Sequence, residues 1–183
     1  MFRNILLTAT VLLSLGAAVT AHATGDDDQI LPHDNRPVPF PQGVVVRFPW
    51  NNIQGTWRVE QGDYVSYFSF KKVKVKGAHR QLQVRQMDPR TCEDIATGVG
   101  TENSSGTRVL AQMTAKKSGT SYRLVLTSIT DKKDVPAAHQ ESVMVLSLGL
   151  NNDAGKPDDM FHMEIMKISP QYDQRSCIEE MKK

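Results

Sequence analysis

The stretch that decides the fold lies in the middle of the chain, where residues 107–126 read TRVLAQMTAKKSGTSYRLVL. Apolar side chains occupy alternate positions on both sides of a short polar segment. These positions are Val109, Ala111, Met113, Tyr122, Leu124 and Leu126. Successive side chains of a β-strand point to opposite faces, so a period of two is typical of strands with one buried face. Because Lys117-Ser118-Gly119 has turn-forming composition, the stretch predicts two antiparallel strands joined by a turn.

The same period continues through most of the chain from Ile53 onward. It predicts eight strands, near residues 55–60, 64–76, 80–87, 95–100, 107–115, 121–129, 141–150 and 159–168. The connections are mostly short and have turn composition, and no long helical pattern interrupts them. An up-and-down sheet of this kind loses its exposed edges when it closes. We therefore predict an all-β protein, an antiparallel eight-stranded meander closed into a barrel.

The predicted strand at residues 64–76 is irregular, because its apolar positions change face. Tyr64 and Phe68 lie on one face early in the strand, whereas Val73 lies on the other face later. Either an inserted bulge residue or a strand whose two halves have different surroundings would produce this pattern.

The first predicted strand is preceded by a recognisable motif, Asn51-Asn52-Ile53-Gln54-Gly55-Thr56-Trp57. It resembles the opening signature of lipocalins and related calycin barrels, an Asn or Asp a few residues before Gly-x-Trp. The resemblance implies that Gly55 lets the chain pass close beneath the barrel and that Trp57 closes the narrow end. Gly-x-Trp also opens avidin-like and other small secreted barrels, so another exported β-barrel or sandwich is the alternative.

Two further features are similar to lipocalins. Thr130-Asp131 follows the sixth predicted strand, where lipocalins often have Thr-Asp-Tyr, although Lys132 replaces the aromatic residue. Lipocalins also have a basic residue late in the barrel that stacks over the tryptophan, and Lys167 and Arg175 are the candidates.

The N-terminus has the composition of a secretory signal peptide. Arg3 precedes an apolar run over residues 5–19, and Ala21-His22-Ala23 supplies the small-x-small cleavage pattern. We predict that residues 1–23 are removed and that the mature protein is periplasmic or secreted. The apolar run is short for a membrane span, so the mature protein is not expected to be an integral membrane protein.

The next segment, residues 24–49, is acidic at its start and rich in proline, and we expect a tail there. A docking peptide and a solvated spacer with a short strand at 44–46 are both compatible with this composition. The barrel domain is predicted to span residues 50–183. Trp50, in the proline-rich approach, is expected to tolerate replacement by alanine much better than Trp57.

The cysteine count and the charge balance restrict the compartment and the partners. Cys92 and Cys177 are the two cysteines of the chain, and an isolated pair in an exported protein predicts a disulfide. That bridge would tie the C-terminus to the middle of the fold. The formal net charge of +2 argues against a dedicated polyanion binder, and no nucleic-acid partner is expected.

The sequence predicts neither an enzyme nor a metal or cofactor site. The histidines outside the signal peptide are His33, His79, His139 and His162. His162 shares a strand face with Glu164, which could begin a metal site or an acid–base pair, but no third ligand is evident.

Two functions are compatible with these observations. The first is binding of a small hydrophobic molecule inside a hollow barrel. The candidate lining residues are Tyr64, Phe68, Leu82, Val84, Met113, Leu124, Leu126 and Phe161. The alternative is an interaction or structural protein of the envelope or exterior, inhibitors included, with a solid core. A lysine-rich strand, residues 71–76, would let an anionic envelope surface be its partner.

Overall fold

The structure contains the predicted strands in their predicted order. It is a computed structural model, and it describes residues 29–32, 39–75, 80–130, 143–150 and 160–183. The elements are β1 (Val44–Val45), β2 (Gly55–Gln61), β3 (Tyr64–Val73), β4 (Gln81–Met87), β5 (Asp94–Glu102), β6 (Arg108–Ala115), β7 (Ser121–Thr130), β8 (Val143–Leu150), β9 (Phe161–Ser169) and α1 (Arg175–Met181). The eight strands expected from the sequence correspond to β2 to β9. Within the described ranges, no helix is long and apolar enough to cross a membrane.

Strands β2 to β9 form a closed antiparallel barrel, which confirms the predicted fold class. Each strand pairs with its neighbours in the sequence, and β9 pairs with both β8 and β2 to close the sheet. At the closure, Val59 of β2 lies opposite Ile165 of β9. The short strand β1 extends the sheet beside the end of β7, where Val44 lies opposite Thr130.

The inward side chains of the barrel form one apolar core, as the alternation in the sequence predicts. In β6, every second residue is buried and the residues between are exposed. The largest fully buried side chains are Tyr122, Phe68, Phe70, Ile53, Leu82, Met87, Met113, Leu124, Leu126, Leu146, Leu148 and Gln86. Met87 points outward into a second cluster, and the other members of this set fill the barrel.

Strand β3 has no bulge. Its register with β2 and with β4 runs without a shift, so the face change in the sequence reflects different surroundings along one regular strand. The outward side chains of Tyr67 and Ser69 are buried, because the chain after β9 covers them. The hydroxyl of Thr56 contacts that of Ser69 at 2.9 Å and also donates to the Gln171 carbonyl oxygen at 2.8 Å.

The predicted disulfide is present and anchors α1 to the outside of the barrel. Cys92 lies in the loop between β4 and β5, and Cys177 lies in α1, with their Cα atoms 5.8 Å apart. The bridge is buried in a second apolar cluster with Tyr67 and Met87. Asp173 receives hydrogen bonds near the start of the helix from the backbone N–H and the hydroxyl of Ser176.

The core begins earlier in the chain than the sequence indicated. After β1, the Phe48 N–H donates to the Gly106 carbonyl oxygen at 3.0 Å, so the chain passes beneath the barrel. Phe48 is only 5% exposed and Trp50 only 6% exposed, and both belong to the core. The expectation of a tail up to residue 49 is therefore corrected at its C-terminal end. The predicted signal peptide, residues 1–23, lies outside the described residues.

Candidate functional site

The interior of the barrel is the first candidate site, because the sequence suggested a ligand cavity there. Seven of the eight predicted lining residues are at most 2% exposed and belong to the core. They are Tyr64, Phe68, Leu82, Val84, Met113, Leu124 and Leu126. The eighth, Phe161, is partly buried and packs against the same cluster. The structure thus brings all eight side chains together, and almost none of the surface of seven of them is accessible to water.

The inward side of β5 shows how tightly the interior is filled. A β-carbon added at Gly98 would lie 2.2 Å from the carbonyl oxygen of Gln112 on β6, and one added at Gly100 would lie 2.7 Å from a methyl group of Val109. Both distances are shorter than real carbon contacts, so glycine is needed at these positions. Small and large side chains interdigitate across β5 and β6, which is the usual way in which an eight-stranded barrel fills its core.

A polar cluster lies inside the barrel at the end opposite Trp57. The side chain of Gln86 is fully buried, and its amide nitrogen donates to the hydroxyl oxygens of Tyr64 and Ser66, each at 3.1 Å. The hydroxyl of Tyr122 donates to the amide oxygen of Gln86. Burial raises the pKa of both tyrosines well above the ordinary value, so their hydroxyls stay protonated and neutral.

The N-terminal segment completes this cluster and covers the end of the barrel. The carbonyl oxygen of Ile30 accepts hydrogen bonds from the Gln86 amide at 3.1 Å and from the Tyr64 hydroxyl at 3.3 Å. Ile30 and Leu31 are partly buried against the core. A region that the sequence assigned to a tail therefore occupies the end by which a ligand would enter.

The Gly-x-Trp motif lies at the other, closed end of the barrel, where Trp57 belongs to the core. Gly55 has a φ of +134°, and a side chain there would fall on the carbonyl oxygen of Ser169. The Trp57 indole N–H donates to the Ile53 carbonyl oxygen at 2.9 Å. The Lys167 ammonium lies 5.6 Å from the centre of the Trp57 ring.

Lys167, rather than Arg175, therefore takes the stacked position, because Arg175 begins α1. The Lys167 ammonium also donates to the Asn52 carbonyl oxygen at 2.6 Å. Burial, together with the neighbouring Lys72, lowers the pKa of Lys167. Thr130 ends β7, whereas the Asp131 of the second partial motif lies outside the described residues.

The closed end also carries two open clefts that the sequence did not indicate. The first has a volume of about 600 Å³ and lies between the chain beneath the barrel and the β5–β6 loop. The second has a volume of about 510 Å³ and lies beside the end of β3. Trp50 and Arg80 line both clefts, so the two adjoin. The Arg80 guanidinium lies 5.8 Å from the centre of the Trp50 ring.

The charge in the clefts is strongly one-sided. Their basic lining residues are Arg47, Lys72, Lys74 and Arg80, all exposed, and Glu102 is the acidic one. Glu102 accepts the Trp50 indole N–H at 2.8 Å. In the described part of the chain, none of the four cations has an ion-pair partner. The segments that form the clefts are distant in sequence, so no local pattern could have indicated them.

His162, which shares a strand face with Glu164, lies on β9 opposite Ser147 of β8. Its ring nitrogen Nδ1 lies 2.7 Å from the Ser147 hydroxyl on β8, and the ring packs edge-on against Phe40. Across the described ranges, no three His, Cys, Asp or Glu side chains come together in a group that could hold a metal ion. His33, His79 and His139 lie outside those ranges.

Comparison with known proteins does not assign the chain to a family. No protein-family model matches it, and no curated protein matches its sequence.

Proposed function

We propose that the protein is an exported, non-catalytic interaction protein of the cell envelope or the extracellular space, with a solid core and a binding site on its surface. The observation that carries this proposal is the packing of the barrel interior. A carrier of a small hydrophobic molecule needs an internal space of roughly 300 Å³ or more. The side chains chosen from the sequence as its lining belong to one core cluster or pack against it instead, with at most 2% of their surface exposed in seven of the eight cases.

Two other features support the proposal. Ile30 and Leu31 pack against the end of the core, which leaves the polar cluster around Gln86 already bonded within the chain. The disulfide between Cys92 and Cys177 supports export, because such bonds persist in oxidising compartments.

An overpacking experiment tests the solid core. We expect Leu124→Trp to lower the free energy of unfolding by about 1–3 kcal/mol or more, because a close-packed core cannot absorb the added volume. Leu110→Trp is the matched control on the adjacent strand, since Leu110 is 42% exposed and Leu124 is fully buried. The control should change stability by no more than about 0.5 kcal/mol. Urea unfolding of the oxidised proteins measures both.

A binding measurement completes the test. We expect no saturable binding of the lipophilic fluorophore N-phenyl-1-naphthylamine to the folded wild-type protein. Two results together would overturn the proposal. The first is binding of one equivalent per barrel. The second is loss of that binding in Leu124→Trp, with this variant as stable as the Leu110→Trp control. That result would favour the other function considered from the sequence, a carrier of a small hydrophobic ligand.

A further inference from the structure

The two clefts at the closed end have the properties of a binding site for anions. Exposed cations normally occur among carboxylates, yet among the described residues that line the clefts, Arg47, Lys72, Lys74 and Arg80 are accompanied by one acidic residue, Glu102. All four side chains are exposed, so the clefts present an excess of positive charge to an approaching anion. The overall net charge of +2 conceals this local excess.

The clefts suit phosphate groups better than carboxylates. A phosphate ester carries up to two negative charges and three terminal oxygens, so it can bind a guanidinium through two oxygens and still offer charge and an oxygen to a second cation, whereas a carboxylate has one charge and two oxygens. Each of the two clefts has at least one cation of its own, Arg47 in the first and Lys72 and Lys74 in the second, and Arg80 lies between them. Two phosphates on one molecule would therefore be held together, one in each cleft.

The remaining lining residues indicate the scaffold that carries the phosphates. Neutral polar side chains, among them Asn51, Gln54, Gln81 and Ser104, also line the clefts. Such groups form hydrogen bonds with hydroxyls. The Trp50 ring is 6% exposed and lies next to Arg80, so it does not offer the open aromatic face on which nucleic-acid bases stack. Cleft volumes of about 600 and about 510 Å³ lie within the range of small-molecule sites.

We propose that the two clefts form one binding site for a sugar or sugar-like molecule that carries at least two phosphate groups, either free or as the headgroup of a lipid. The proposal deepens the surface-binding function proposed above and rests on it. The two are tested separately, because the overpacking experiment changes the core and leaves the clefts intact.

Isothermal titration of the full, oxidised protein with fructose 1,6-bisphosphate tests the site, with inorganic phosphate and fructose as comparison ligands. We expect one saturable site for the bisphosphate, bound at least about tenfold more tightly than inorganic phosphate, because its two phosphates are linked. Added salt should weaken the binding. No saturation at about 10 mM bisphosphate, or equal affinity for inorganic phosphate, would overturn the proposal.

Paired variants separate the site from general charge attraction. Lys72→Gln combined with Arg80→Gln should weaken bisphosphate binding at least about tenfold, since each lost charge-assisted hydrogen bond accounts for about that factor. Arg90→Gln combined with Arg123→Gln removes the same charge from two exposed residues outside the clefts and should change the affinity by less than about threefold. Equal weakening by both pairs would refute a defined site.

Vesicles distinguish the two sources of the ligand. Phosphatidylcholine vesicles that contain diphosphorylated lipid A should sediment the wild-type protein but not the Lys72→Gln/Arg80→Gln variant if the natural ligand is a lipid headgroup. Binding of the free bisphosphate without vesicle binding would assign the site to a free ligand.

Discussion

Replacing Trp50 by alanine should lower the free energy of unfolding by about 4 kcal/mol. A buried indole contributes roughly 200 Å² of buried surface, which at about 25 cal/mol per Å² corresponds to about 5 kcal/mol of transfer free energy. Alanine retains one side-chain carbon and the surroundings relax in part, so core aromatic-to-alanine changes cost about 3–5 kcal/mol. The lost hydrogen bond to Glu102 adds at most about 1 kcal/mol, because that carboxylate is half-buried and water can replace the donor.

Denaturant unfolding measures the loss of free energy of unfolding, and the m-value should stay unchanged. Two further variants serve as comparisons. Trp57→Ala should cost a similar amount, because Trp57 is 8% exposed and lies in the same core. Trp50→Phe should cost about half as much, since a smaller ring can still pack against Phe48, whose ring centre lies 5.1 Å away. A loss below about 1 kcal/mol for Trp50→Ala, beside a full loss for Trp57→Ala, would refute the reasoning. That result would place Trp50 outside the core, as the sequence indicated.

Replacing Cys92 and Cys177 together by serine should lower the melting temperature and cost about 2–5 kcal/mol, and an unchanged melting temperature would show that α1 holds without the bridge. Stability should also fall at alkaline pH, because burial raises the folded-state pKa of Tyr64 and Tyr122 above their unfolded value of about 10. The stability that the neutral tyrosines provide is complete below about pH 10. Above that pH it is lost by up to about 1.4 kcal/mol per pH unit for each tyrosine. Unfolding curves between about pH 8 and pH 12 measure this slope, which Tyr122→Phe should reduce; the same slope in that variant would contradict the assignment.

The strand pattern and its closure were predictable from the sequence for a physical reason. In an eight-stranded barrel one face of every strand is buried, so the period of two is repeated along the chain and turn residues separate the repeats. Gly55 and Trp57 were predictable as a motif, because the close approach of Ser169 leaves room only for glycine. The disulfide was predictable because Cys92 and Cys177 are the two cysteines of the chain.

Other features could not be predicted, because single residues that contact distant segments have no periodicity. Phe48 and Trp50 lie in a proline-rich stretch that has the composition of a spacer, yet they close the core from below. Gln86 continues the alternate, inward-facing positions of Leu82 and Val84 in β4. Its burial, however, depends on the carbonyl oxygen of Ile30, 56 residues away. The hollow or solid character of the barrel depends on how side-chain volumes fit together, and alternation alone does not report volume.

The pairing of β2 with β9 determines when the barrel can close. β2 finds one partner in β3, the next strand to be synthesised, whereas its other partner, β9, is the last of the described strands. Until β9 is present, β2 and β8 each have an open edge with unpaired backbone groups, and such edges favour pairing with other chains. Pairing between the two ends of a chain is also the slowest kind of contact to form. The barrel therefore cannot close before β9 has been synthesised, and until then the chain exposes edges at which it can pair with other chains.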